Sequence, residues 1–117
     1  QPDFPEARNN LGLILGRQGE LDGAHRQFSQ ALKARPGYGQ AVDNVALVLV
    51  ARGQSDQAIG VLQAFLEKHP DYENAYLTLA KIHLSADRRA EGLQMLDRLL
   101  ARNPSHAAAR ELAAQFR

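Results

Sequence analysis

Cysteine is absent from the chain. That removes disulfides, a thiol nucleophile and any Cys-based zinc site, and leaves cytoplasm and periplasm equally compatible. An excess of charge is missing as well. The 14 basic residues stand against 13 acidic ones, a formal net charge of +1, with the two signs interspersed. Nothing in that balance draws the chain to nucleic acid or to direct contact with an anionic membrane surface. The apolar stretch over residues 45–50 is far short of a membrane span, and no signal-peptide pattern is read. Catalytic motifs are missing too. His25, His69, His83 and His106 are scattered and form no HExxH; Gly12, Gly16 and Gly19 are not followed by the Gly-Lys-Ser/Thr of a phosphate loop. Ser29, Ser55, Ser85 and Ser105 lack a nucleophile elbow, and neighbouring carboxylates such as Glu67 and Asp71 read as solvated surface. No catalytic, cofactor-binding or metal-ligating residue is assigned, no cofactor is expected, and the chain is not expected to be an enzyme.

What is present is a period. Pro2, Pro36, Pro70 and Pro104 stand 34 residues apart each time, and the chain repeats itself around them. With that proline at position 32, the units are residues 5–38, 39–72 and 73–106, and a fourth begins at Ala107. Position 3 is Ala7, Ala41, Ala75 and Ala109; position 8 is Gly12, Ala46, Ala80 and Ala114. Position 10 is large and apolar in Ile14, Val48, Ile82 and Phe116, and position 24 is Phe28, Leu62 and Leu96. Two residues after each proline stands a ring: Phe4, Tyr38, Tyr72 and His106. A fixed period of this length means a stacked repeat array, which offers another molecule an extended surface rather than a pocket built for chemistry.

The pattern resembles the tetratricopeptide repeat family: small residues at positions 8 and 20, a large one at 24, a small one at 27 and proline at 32. The first unit carries it most fully, in Leu11-Gly12, Leu15, Ala24, Phe28, Ala31 and Pro36. The later units depart at His83 (position 11), Gly92 (position 20) and Phe65 and Leu99 (position 27). The resemblance covers essentially the whole chain. It implies an all-α fold, a right-handed α-solenoid of about three helix–turn–helix repeats plus a C-terminal helix. The expected organisation is a single repeat domain over 1–117, in which 107–117 is a partial fourth unit or a capping helix. Pro2 already occupies the position of a preceding unit's proline and the first residue is Gln, so a piece of a longer protein is expected.

Gly, Asp and Asn mark the breaks within units and proline those between them, since the residue before a proline is pushed out of the α region. Helices are expected at about 5–18, 22–35, 39–52, 56–69, 73–85, 89–102 and 107–116, with Pro5 in the first turn, where its missing N–H costs nothing. Residues 45–50, rich in valine, would read as a buried strand in isolation. The register places them in a helix, because they align with residues 11–16. Gly92 stands mid-helix where the other units have Ala24 and Ala58, so Gly92→Ala is expected to stabilise by removing a helix-entropy cost.

At about 100° per residue, positions 3, 4, 7, 8, 10 and 11 of each first helix share one side and form the core. Positions 2, 5, 6, 9, 12 and 13 share the other and are expected to be exposed. That set carries Leu13, Leu47, Val50, Leu77 and Leu84 among neutral amides, where a plain solvent face would be charged; apolar residues recurring from unit to unit suggest an interaction surface. In the family resembled, this face lines a groove for extended peptides or a partner helix. The candidate peptide-binding residues are therefore Asn9, Asn10, Leu13, Arg17, Asp43, Asn44, Leu47, Val50, Leu77, Thr78, Lys81 and Leu84. Position 6 reads Asn10, Asn44, Thr78, two steps of an asparagine ladder that some family members use to hold a peptide backbone; an amide both donates and accepts. Because position 6 points away from the core, Asn44→Ala is expected to leave stability almost unchanged. The clamp for chaperone tails is not expected: of Asn9, Leu13, Asn44, Asn74 and Thr78 at its positions, Asn44 alone fits. The expected function is a protein-interaction scaffold with a protein or peptide partner. The alternatives are a self-assembling structural segment, a homo-oligomer through the repeat ends, and a docking or regulatory arm of a larger enzyme. RNA binding of the pentatricopeptide kind would need more cations than Arg17 and Lys81.

Overall fold

The computed structural model describes residues 4–117; Pro2 lies outside them. Seven helices follow in order: α1 Pro5–Arg17, α2 Leu21–Ala34, α3 Gly39–Ala51, α4 Ser55–Lys68, α5 Glu73–Ser85, α6 Arg89–Arg102 and α7 Ala107–Phe116. Among the described residues there is no strand. The all-α fold is the expected one, and residues 45–50 are helical. The valines cost some helix propensity, but an amphipathic face with a core to bury decides the conformation.

The helices pair by one local device used three times. In each hairpin a residue with positive φ stands two positions past the end of the first helix: Gly19 (81°), Gly53 (78°) and Asp87 (63°). The N–H of the residue after it donates to the carbonyl five residues back: Glu20 to Leu15 (2.9 Å), Gln54 to Leu49 (2.7 Å) and Arg88 to His83 (2.8 Å). A second bond closes three residues back, from Gly19 to Gly16, Gly53 to Val50 and Asp87 to Leu84. This is the Schellman arrangement, which satisfies carbonyls that a helix end otherwise leaves orphaned. The next helix starts within two residues, so α1–α2, α3–α4 and α5–α6 are antiparallel hairpins. Between repeats the residue before proline is extended, as the ring demands: Arg35 (φ −139°, ψ 89°), His69 (φ −134°, ψ 65°) and Asn103 (φ −142°, ψ 85°). His106 caps α7 by accepting the Ala109 N–H on Nδ1 at 3.2 Å.

The helices form two compact bodies, one ending at His69 and the other beginning at Pro70. In the first, α2 packs on both its hairpin partner α1 and the following α3. Its core is Gly12, Ala24, Phe28 and Ala31 with Ala41, Val45, Ala46, Val48 and Leu49 of α3 and Ala58, Leu62 and Phe65 of α4. In the second, Ala75, Leu79, Ala80 and Ile82 of α5, Met95, Leu96 and Leu99 of α6, and Ala109 and Ala113 of α7 are buried. Two expectations are corrected here. Positions 3, 7 and 10 are core in α3, where Ala41, Val45 and Val48 are buried in the body in which α3 packs on α2. In α1 the same positions are exposed, with Leu11 at 43% and Ile14 at 48%, because no described helix precedes α1 to cover them. Gly92 is the second. A Cβ there would stand 2.7 Å from Leu84 Cγ and 3.2 Å from the Ala80 carbonyl oxygen, so the position has no room for alanine.

Candidate interaction face

The residues proposed from the sequence lie on the first helix of each hairpin. In the first body, α1 and α3 pack directly against each other. Their seam holds an amide pair: Asn44 Nδ2–H donates to Asn9 Oδ1 at 2.9 Å. Asn9 is buried, Asn44 half-buried and Asn10 exposed. Around the pair, Leu13 and Val50 are half-buried and Leu47 stands 54% exposed in the middle of α3. Arg17 is exposed at the α1 C-terminus. Asp43 is buried rather than open. At the edge, the Arg35 guanidinium hydrogen-bonds Glu6 and holds that carboxyl below the usual carboxylate range.

In the second body, α5 supplies the remaining four. Leu77 is buried, Thr78 and Leu84 are half-buried and Lys81 is exposed. Thr78 Oγ1 donates to the Asn74 carbonyl at 3.0 Å, one turn back along its own helix, so its hydroxyl proton is taken up locally. Leu84 lies over Gly92 of α6. Leucine at position 12 here, where the other repeats have Gly16 and Val50, takes the volume that alanine fills at position 20 in those repeats.

Position 5 therefore differs from the expectation in every repeat: Asn9 (3% exposed), Asp43 (6%) and Leu77 (8%) are buried. A hemisphere drawn on one helix treats position 5 as outward. For Asn9, the neighbouring α3 turns that angle into a seam. The Asn44 side chain is likewise partly committed to Asn9, so its role is structural as well as outward. It keeps one N–H and its carbonyl oxygen beyond the bond to Asn9. Position 9 behaves as expected in the second and third repeats, with Leu47 and Lys81 exposed, whereas Leu13 in the first is half-buried.

The register puts His83 at a core position, where a packed, hydrogen-bonded histidine is expected; the burial agrees and the hydrogen bonding of Nδ1 does not. His83 occupies the place of Leu15 and Leu49, is 7% exposed, and its Nδ1 has no hydrogen-bond partner. Burial holds its pKa below the ordinary histidine value; the Glu91 carboxylate opposes that and Arg88 adds to it. Among the described residues no group of three or more His, Asp or Glu side chains is placed to hold a metal, and no helix is long and apolar enough to cross a membrane.

Residues 49–116 match the family described as Tetratricopeptide repeat, and a second family of the same description matches residues 1–39 and 9–73. No curated protein matches the chain in sequence. The first tetratricopeptide domain of Spaghetti (RPAP3), solved with the HSP90 peptide SRMEEVD, superposes with a TM-score of 0.79 at 16% identity, covering 97% of this chain and 90% of that one. YrrB, described as having an unusual peptide-binding site, gives a TM-score of 0.77 at 20% identity over 92% of this chain and 56% of its own. MamA from Desulfovibrio magneticus RS-1, residues 41 to the end, gives 0.73 at 22% identity over 97% of this chain and 64% of its own. At these identities the superpositions speak for the fold.

Proposed function

The chain belongs to the tetratricopeptide repeat family, and from that premise we propose that it is a protein-interaction scaffold whose first helices take an extended peptide. The observation that carries this reading is Leu47. A large apolar side chain more than half exposed, one turn from an amide pair with unused donor and acceptor capacity, is what a peptide of apolar side chains and polar backbone would fit. The Asn44 amide meets the backbone, and Leu13, Leu47 and Val50 meet the side chains in the first body. In the second, Thr78, Lys81 and Leu84 offer the equivalent register positions, and the repeats act as one domain. The peptide in the RPAP3 structure carries consecutive glutamates and a terminal aspartate. The face described here presents leucines and amides, so the peptide favoured for this chain is neutral and apolar rather than an acidic tail. No step of chemistry is assigned to it.

The test is selection of binders from a displayed library of 12-residue peptides, followed by titration of the selected sequence against wild type, Leu47→Asp and Asn44→Ala. Leu47→Asp should abolish binding while the melting temperature holds, because the side chain lies outside the core. Undiminished affinity in both variants refutes the reading. The peptide SRMEEVD serves as the acidic comparison and should bind at least tenfold more weakly than the selected sequence.

A second reading has its own observation. Phe4, Leu11 and Ile14 expose large apolar side chains on or beside α1, on the side that α3 buries in the equivalent place. Self-association through that end accounts for the exposure. Sedimentation that shifts with concentration, and that Leu11→Glu abolishes, would favour it over peptide binding.

A further inference from the structure

We propose that His83 makes the third repeat acid-labile: protonation of this core imidazole loosens the α5–α6 hairpin while the first body stays folded. In the other hairpins the equivalent residue is apolar: Leu15, which lies close to Gly23 of α2, or Leu49, which is buried. In the third it is an imidazole, 93% of whose surface is withdrawn from water, with an Nδ1 that meets no partner. A neutral ring tolerates that setting, since one unpaired nitrogen costs a modest desolvation. A protonated ring has two N–H donors and a positive charge, and the site supplies no acceptor for Nδ1.

The hairpin has little slack to provide one. The His83 carbonyl already accepts the Arg88 N–H that closes the turn, at 2.8 Å. The next residue, Leu84, is seated on Gly92 so closely that a single added methyl would not fit. Of the charged groups that act on the ring, Glu91 on α6 favours the charged form and Arg88 at the α6 N-cap opposes it; desolvation outweighs both. The turn itself holds Asp87 in the left-handed region rather than a glycine, so the hinge of this hairpin is the more strained of the three.

The direction with pH follows. Unfolded, the histidine titrates near 6.5; folded, below that. Between the two values the unfolded chain binds the extra proton, so stability is fully present above about pH 6.5 and is lost as the pH falls through that window. This inference stands whether or not the face of the repeats binds a peptide.

The test compares urea unfolding of wild type and His83→Leu from pH 8.0 to 5.0, with amide hydrogen exchange read residue by residue. The wild-type midpoint should fall on acidification, and the fall should be smaller in His83→Leu, which installs the residue of the other repeats. Protection factors, which remove the intrinsic slowing of amide exchange in acid, should fall at pH 5.0 in residues 73–102 of the wild type and not in residues 5–68. Equal pH slopes in the two proteins overturn the proposal, as does an NMR titration that places His83 at an ordinary value in the folded protein. Should His83→Leu fail to fold, Glu91→Gln decides the matter: removing the one carboxylate that favours the charged ring should steepen the acid loss, and an unchanged slope refutes the mechanism.

Discussion

A single methyl group added at Gly12 would enter the ring of Phe28. An alanine Cβ there would stand 2.4 Å from one ring carbon of Phe28 and 2.7 and 2.9 Å from two more, distances that real Cβ atoms do not adopt. Phe28 is 3% exposed and has nowhere to retreat. The other repeats solve the same packing with the volumes exchanged: Ala46 with Leu62 and Ala80 with Leu96 occupy the equivalent pairs. Alanine gains roughly 0.5–1 kcal/mol over glycine in a helix interior, whereas overpacking a core costs about 1–3 kcal/mol. Gly12→Ala should therefore destabilise by about 1–2 kcal/mol. Phe28→Leu, which leaves space beside a bare glycine, should cost about 1 kcal/mol. Together the two changes reproduce the pair used in the second and third repeats, and the double variant should return to within about 0.5 kcal/mol of wild type, a coupling of roughly 2 kcal/mol. A double-mutant cycle by urea unfolding, with far-UV circular dichroism as the probe, measures all four corners. A neutral or stabilising Gly12→Ala, or additive effects, would refute the reasoning, because either would mean that the ring can move aside at no cost.

The remaining predictions rest on equally local contacts. Gly92→Ala should lose about 1–2 kcal/mol in thermal or urea unfolding, since Leu84 and the Ala80 carbonyl oxygen occupy the space its Cβ needs. Asp87→Gly should gain about 0.5 kcal/mol, because the left-handed backbone at 63° suits glycine, as Gly19 and Gly53 show; a loss would mean that the Asp87 side chain holds the turn. Asn44→Ala should cost about 1 kcal/mol of stability by itself, because it leaves the buried Asn9 without its donor. In the same denaturation assay Asn10→Ala, on an exposed side chain, should change stability by less than about 0.5 kcal/mol.

The fold was legible because the repeat supplied three independent samples of one pattern. Every helix boundary falls within one residue of the expected place, since proline and left-handed turn residues act on the backbone locally, without reference to what packs around them. The register also overrode the strand-like appearance of residues 45–50. What the pattern did not carry was the difference between repeats. Whether Leu11 and Ile14 are covered depends on a neighbour outside the helix that bears them. Whether Gly92 can be alanine depends on Leu84, eight residues away, and not on helix propensity. Of the proposed interaction face, Leu47, Lys81, Asn10 and Arg17 are exposed as expected. Asn9, Asp43 and Leu77 are buried; for Asn9, a helical wheel drawn for one helix has no means of showing the seam that α1 makes with α3.

The positive φ at Gly19 and Gly53 has a stereochemical consequence. A Cβ built on either meets nothing within 4 Å, so the space beside each is open and the handedness of the α-carbon alone governs what fits there. An L-alanine would be forced into its disfavoured half of conformational space, whereas a D-alanine would find the same angles to be its own preferred right-hand counterpart in mirror image. A chemically synthesised chain with D-residues at these two positions would thus have its helix reversals set by chirality before any core has formed. The repeat would then become a template in which the order of turn closure and helix docking is chosen by the chemist.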